Sequence, residues 1–518
     1  MPVRMEKDPQ RPNRGGGGSG GGMGGLIQIL PFILMFLIRR PKLLIPLLLI
    51  GAAWYFFFGG QQMLSGGGAN YDNYDVENDP FSMGAALSEE RFDQAQVFEP
   101  LTYGAGENRL PERVTLEKYA PQRLHQGNQG SCVGWASAYA ARTILQARAS
   151  GQNPNQLSFS PSYLYNQIRL SGCEGAYMLD AMKAMSQNGA MPFQQFGYDD
   201  SDCSRVPNSQ EMERGRQYRI KGYNRLTVGA DDHTPDILAI KQNLAQGAPV
   251  VVGMMVGGSF MSGMLGKEVW RPTQSDYSMR GYGGHAMCVI GYDDNKDGGA
   301  FQLMNSWSED WGNRGLAWVR YRDFEHFTKE AYGLYPMGSA DQQNADKMQV
   351  KFGLLDQASQ SLLTLTQKDE MTFKTVKPLK KGDKFKVAIT NSIECYTYVF
   401  GQETDGTSYV LFPYTEQHSP YCGIVGTRVF PKDYSMVLDQ TGNKDYIAIL
   451  VSKKELDYQS LNKAITASRQ QGYANKVREA LGNRRITNIK FQTGNAVEFN
   501  ATTDGKEAVA MVIEIDKN

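Results

Sequence analysis

The chain has 518 residues with 54 basic and 54 acidic side chains, so no net field advertises a nucleic-acid partner. A hydrophobic content of 41% with 56 glycines excludes wholesale disorder. Six cysteines without a C-x-x-C pair exclude a disulfide scaffold, a zinc ribbon and a thioredoxin-like motif, and at about 150 residues per domain the length suggests about three units.

The charge balance conceals a local asymmetry. Residues 1–42 carry seven basic groups against Glu6 and Asp8, whereas residues 43–90 carry six acids and no base. Between them lies the apolar run LLIPLLLIGAAWYFFF, with Trp54 and Tyr55 where an interfacial belt would sit. It reads as a transmembrane helix over 43–60. The apolar stretch 26–37, set off by Arg39, Arg40 and Lys42, reads as interfacial. By the positive-inside rule this is a single-pass cell-membrane protein with a basic, Gly-rich cytoplasmic tail (1–42) and an extracytoplasmic remainder, periplasmic or extracellular. A cleaved signal peptide is the alternative, although no clear A-x-A site follows. Gly17, Ser19 and Gly21 meet the G-x-S-x-G pattern only through low complexity, with no strand before and no helix after. Residues 61–107, acidic and Gly-rich, read as a flexible linker.

The segment HQGNQGSCVGWASAYAARTILQA (125–147) predicts a helix buried on most sides. Ser131 is its candidate cap, and Cys132 stands at its N-terminus, where unsatisfied N–H groups favour a thiolate. A buried structural cysteine is the alternative. Further on, GYGGHAMCVIGYDD puts His285 at the head of an apolar strand, 286–290, followed by a hairpin to 300–304. Asn305, Ser306 and Trp307 come directly after it, then Trp311-Gly312 and a strand over 316–321. The turn Asp293, Asn295, Asp297, Gly298 matches the first half of a calcium loop, but its twelfth position is Met304, which favours a plain turn. The other histidines (His125, His233, His326, His418) have no metal-ligand spacing. No metal or cofactor is called for.

Cysteine, histidine and asparagine in this order, with LSFSPSYLYNQIR (157–169), GCEGAY (172–177) and GAPVVVGM (247–254) between them, resemble the papain family of cysteine peptidases (C1). The resemblance runs from about residue 110 to 337. It implies an α+β fold with two lobes, one helical and one β-barrel-like, over 108–337. It also implies Cys132 as nucleophile and His285 as base and later acid, resting as a thiolate and imidazolium pair. Asn305 would orient the ring, and Gln126 would donate to the oxyanion with the Cys132 N–H. Trp307 would shield the pair from water, its alternative being core packing. Gly175, Ala176, Tyr177, Met178, Ala286 and Trp307 would line the substrate groove, with an apolar pocket at Tyr177, Met178 and Ala286. Val133 and Ser308 replace family residues without touching a proton-transfer group, and Ala176 stands where a glycine is usual. Gln129 replaces a family cysteine, which leaves Cys173 and Cys203 to pair with each other or to stay free. Cys288 reads as a small buried hydrophobe.

From residue 349 onward the pattern turns to short alternating strands: 384–390, 395–401, 408–414, 446–452 and 508–515, with a hairpin turn at Asp405-Gly406 and a helical pattern over 456–481. An antiparallel β-sandwich with a helix over 345–518 is expected. The block 401–414 with 446–457 resembles the DUF4384 family, which implies binding or positioning, here of an envelope partner, rather than chemistry. Cys395 and Cys422 bracket the hairpin as a disulfide or as two thiols.

The leading expectation is a membrane-anchored, extracytoplasmic bacterial thiol protease acting on protein or peptide substrates. A catalytically silent protein that binds a peptide or envelope partner in the same groove is the alternative, and a transamidase shares the core. The family's inhibitory prosegment has no room between anchor and peptidase. The groove is therefore expected to be constitutively exposed, or controlled by the C-terminal domain.

Overall fold

Small side chains let one helical run pass through the centre of the first lobe. Cys132–Gly134, Trp135–Arg142 and Thr143–Ser150 follow one another without a break, the middle stretch wound as a π-helix. Ala138, Ala141 and Ile144 are fully buried. At Gly134 a Cβ would come within 2.7 Å of the Pro161 carbonyl, so the neighbouring helix Pro161–Ile168 can approach only a glycine. The computed structural model that carries these features describes residues 3–8, 81–102, 109–336 and 346–518. These residues belong to one unit. The expected anchor at 43–60, the stretch 26–37 and the Gly-rich tail lie outside the described residues. Among the described residues no helix is long and apolar enough to cross a membrane.

The second lobe is a sheet in the order Tyr223–Arg225, Thr328–Leu334, Val250–Val256, Gly283–Asp293, Ala300–Met304, Leu316–Arg320 and Val269–Trp270, with Arg113–Thr115 beside Gly283–Asp293. Val250–Val256 is buried at every position and pairs antiparallel with Gly283–Asp293, which sets Met254 opposite His285. The expected hairpin forms with a bulge between Val289 and Gly291. Its turn carboxylates are occupied: Asp294 by Lys241 and the Tyr321 hydroxyl, Asp297 by Arg271.

The C-terminal part is a sandwich of two sheets. Phe352, Val387, Val399, Ile449 and Met511 are among the residues that fill the space between them. The expected strands appear as Lys384–Asn391, Cys395–Gln402, Ser408–Phe412, Lys444–Ser452 and Ala508–Asp516. The single helical pattern over 456–481 is in fact two helices, Tyr458–Ala467 and Tyr473–Leu481, broken before Gly472 at φ 81°. Leu461, Ile465 and Val477 cover Tyr398, Phe400 and Leu450 on the outer face of the second sheet.

Two stretches read as tail and linker are parts of this fold. Val3–Lys7 pairs antiparallel with Tyr434–Leu438, and Asp8 accepts from Ser435 Oγ and pairs with Lys386. A strand bonded into a sheet lies on the same side of any bilayer as that sheet. A cytoplasmic N-terminus joined through one span to an extracytoplasmic domain does not fit this pairing. The flexible linker over 61–107 is likewise corrected for residues 81–102, a strap that runs across the peptidase and under the sandwich. Phe92, Val97, Phe98 and Leu101 are buried in it, and this apolar content outweighs the glycines and acids.

The strap's second half is a shared strand. Towards the peptidase, Phe98 N–H donates to the Arg225 carbonyl, Arg225 N–H to the Gln96 carbonyl, and both main-chain groups of Leu101 bond the Gln242 amide. Towards the sandwich, Val97 exchanges bonds with Gln417 and Ser419, Thr102 with Thr427 and Val429, and Arg428 Nε donates to the Glu99 carbonyl. The Glu99 carboxyl is enclosed there, and burial pushes its pKa up to about 8 despite Lys432 and Arg428 nearby. The folded chain therefore holds a proton on Glu99 that the unfolded chain releases above about 4.5. That stabilisation is complete below about 4.5 and is lost as pH rises towards 8. Thermal unfolding of Glu99→Gln should show a gain in Tm over the parent that grows between pH 5 and pH 8.5. A difference that does not change with pH contradicts the burial of an ionisable strap.

Candidate active site

Cys132 opens the central helix and His285 begins the buried part of its strand, and the two elements meet where the Ala286 N–H donates to Cys132 Sγ at 3.3 Å. His285 Nε2 lies 2.7 Å from Asn305 Oδ1. The Ser306 N–H donates to the same Oδ1 at 2.7 Å, which fixes that atom as an acceptor and so leaves the proton on Nε2. Nδ1 then carries the lone pair, and it is buried without a hydrogen-bond partner. Trp307 stacks on the imidazole at 4.3 Å and closes one face to water. Gln126 is held by Ser306, whose hydroxyl donates to its Oε1 at 2.6 Å, and its Nε2 donates to the Gln129 carbonyl. The four residues expected to carry chemistry thus converge. Ser131 differs from expectation: it makes no side-chain cap, and its hydroxyl pairs with the Tyr198 hydroxyl at 2.6 Å.

The groove is occupied by the strap's first half. Gly84 accepts the Ala176 N–H at 2.9 Å and donates to the Gly284 carbonyl at 3.3 Å. Ala85–Ala86 then pairs parallel with Ala176–Tyr177. Gln126 Nε2 reaches the Met83 carbonyl at 3.5 Å, and the Trp307 indole donates to the Ser82 carbonyl at 2.8 Å. Phe81 stacks on the outer face of Trp307 at 4.9 Å. The expectation of a constitutively exposed groove is therefore overturned. Each expected groove residue meets the strap or its neighbours. A Cβ at Gly175 would meet the Gly84 carbonyl, and Tyr177 lies under the Arg91 guanidinium. Met178 is fully buried beside Gly253, and Ala286 holds the thiol. Ala176, the family departure, keeps its backbone donor in use.

With the strap in place burial favours the neutral forms of the catalytic pair. Burial, only partly offset by the Ala286 and Val133 N–H groups, pushes the Cys132 thiol up to about 12. Burial likewise pulls His285 down to about 4, against the Asn305 hydrogen bond. Burial under the strap thus works against the expected thiolate and imidazolium pair, because both charged forms would lie in a site that excludes water.

A disulfide joins Cys173 to Cys203 and pins the groove turn, with Cα atoms 6.0 Å apart. Cys395 and Cys422 are buried thiols directly opposite each other on paired strands, and Cys288 is a buried thiol as expected. Three features escaped the sequence reading. The strap's Phe81, Met83 and Leu87 were the apolar residues in a stretch discounted for its glycines. Ser306 follows Asn305 directly. Glu330 is a lone acid in the apolar strand Thr328–Leu334.

The model of the papain family cysteine proteases matches residues 111–337, and a domain of unknown function, DUF4384, matches residues 378–455. An uncharacterized peptidase C1-like protein of Acanthamoeba polyphaga mimivirus is 30% identical over 221 residues, covering 41% of this chain and 68% of that protein. Cathepsin K of Mus musculus is 28% identical over 216 residues, 41% of this chain and 60% of that protein. Among solved structures, xylellain, a cysteine protease from Xylella fastidiosa, is 23% identical with a TM-score of 0.40, over 49% of this chain and 96% of that one. The chain belongs to the papain family of cysteine peptidases.

In the intact chain, alkylation of Cys132 by iodoacetamide should be slow at pH 7 and climb into the alkaline range, without a plateau below the ordinary thiol pKa of about 8.5. A reactive plateau between pH 5 and 7 would contradict a strap-neutralised pair.

Proposed function

We propose that the protein is a thiol peptidase held closed by its own strap. Cys132 Sγ attacks the substrate carbonyl while His285 Nδ1 takes the thiol proton, and the resulting imidazolium gives that proton to the leaving amine. Water then attacks the acyl-enzyme with His285 again as base, releasing the acid and restoring the thiol. Asn305 keeps the ring in the required tautomer, and Gln126 Nε2 with the Cys132 N–H faces the developing oxyanion. The observation that carries this reading is the strap itself: Gln126 Nε2 already meets a peptide carbonyl, that of Met83, in a groove that pairs with main chain.

The C-terminal domain contributes a clamp. Its residues 417–429 hold strap residues 97–102, so opening the groove requires those bonds to loosen. The disulfide supports an oxidising, extracytoplasmic location. Attachment to a membrane rests on the apolar run 43–58. With the N-terminal strand bonded into the sandwich, residues 3–8 belong on the same side of such a membrane as the catalytic domain.

A Cβ at Gly84 would lie 2.1 Å from the Gly130 carbonyl, so Gly84→Ala is expected to displace the strap. Overpacking of this kind costs about 1–3 kcal/mol, or roughly 5- to 140-fold in opening. Peptide hydrolysis and epoxide labelling should both rise by that factor in Gly84→Ala and vanish with Cys132→Ala. Labelling that survives Cys132→Ala, or peptide binding without hydrolysis, would favour a silent binding protein. For topology, Met5 is exposed on its strand and no other thiol is accessible among the described residues. A Met5→Cys, Cys132→Ala chain should react with a membrane-impermeant maleimide from the same side as the catalytic domain, and reaction from the opposite side only would refute this placement.

A further inference from the structure

The strap's Leu87 fills a pocket whose chemistry is not that of leucine. A Cβ at Gly253 would lie 2.5 Å from Leu87 Cδ2 and 2.7 Å from Met178 Sδ, so the glycine provides the depth into which Leu87 reaches. Gly284 stands on another side, where a Cβ would come within 3.1 Å of Leu87 Cγ. Beside Leu87 and Gly253 is Glu330, 4% exposed, carried on the strand Thr328–Leu334, its Cβ 3.7 Å from where a Gly253 Cβ would stand. One carboxylate oxygen accepts the Ser88 N–H of the strap at 2.9 Å, and the other accepts the Tyr332 hydroxyl at 3.1 Å.

Among the described residues Glu330 has no cationic partner. Cations on the neighbouring elements are committed elsewhere: Arg91 to Asp180, Arg225 to Asp93, and Lys329 to the His326 carbonyl. Burial pushes the carboxyl up to about 7 while the strap is in place, against the Ser88 and Tyr332 hydrogen bonds. When the strap leaves, Oε1 loses the Ser88 N–H. A buried carboxylate that loses a donor must be re-solvated, protonated or paired, and an apolar side chain in the pocket offers none of these.

We propose that Glu330 makes this pocket cation-selecting, so that the enzyme prefers substrates with Lys or Arg in the place vacated by Leu87. The inference rests on the peptidase reading and names its substrate class. Met178 and the glycine walls suit the aliphatic stem of such a side chain, and Glu330 meets its head group with Tyr332 completing the site. The apolar pocket expected from Tyr177, Met178 and Ala286 is thereby modified by a carboxyl in its wall.

Two measurements on the full chain test this. In the Gly84→Ala background, peptides varied at the three residues before the cleaved bond should show a kcat/KM for Arg or Lys above that for Leu at one position. Glu330→Gln should reduce that ratio by about tenfold or more, since breaking a buried charge pair is costly. No preference, or a preference that survives Glu330→Gln, overturns the proposal. If no peptide is turned over, the peptidase reading fails and a second measurement judges the pocket alone. Leu87→Arg in the closed chain should raise Tm and slow epoxide labelling, and both effects should disappear when combined with Glu330→Gln. Equal effects with and without Glu330 overturn it.

Discussion

The closed state depends on how near main chain can come to main chain at Gly84. Its carbonyl takes the Ala176 N–H, its own N–H reaches the Gly284 carbonyl, and the space where a side chain would start is filled by the Gly130 carbonyl. Only glycine permits that approach, and φ at 143° reinforces the requirement. From this contact the rest follows in order. The strap carbonyls of Ser82 and Met83 satisfy Trp307 and Gln126, and Phe81 extends the stack over Trp307. Water is then excluded from Cys132 and His285. Exclusion of water in turn disfavours the charged forms of the pair, so the same contact that blocks the groove also works against the thiolate.

Holding a strap in the groove requires an anchor, and the sandwich supplies it. Residues 96–102 bond to the peptidase on one side and to the C-terminal domain on the other. The Gln246 side chain bonds both main-chain groups of Val425, and Tyr335 packs on Tyr421 at 4.5 Å. The domain that carries no catalytic constellation thus has a physical role in the chemistry of the other. A buried glutamic acid in the clamp makes that grip sensitive to alkali.

Much of the site was legible because its chemistry demands particular residue types in a particular order. Cys132 before small residues, His285 at the head of an apolar strand and Asn305-Ser306-Trp307 after a hairpin each point to their element. The sandwich strands were legible from alternation, and the turn at Asp405-Gly406 from its dipeptide. What was not legible came from tertiary context. Residues 81–102 carry apolar side chains without period, because the strap contacts a different partner at almost every residue, and glycines in such a segment resemble a linker. Val3–Lys7 is too short and too charged to read as a strand until Tyr434–Leu438 offers it an edge. Ser131 had the composition of a cap, but Tyr198 claimed its hydroxyl. The charge state of Cys132 could not be read from its position at a helix start, since burial under the strap outweighs the dipole.

The most direct measurement follows hydrogen exchange at the Ala176 amide and epoxide labelling of Cys132 together in the intact chain. If the strap closes the groove, Cys132 is labelled no faster than the Ala176 amide, which donates to Gly84, becomes free to exchange. Complete labelling while that amide is still protected would contradict the account.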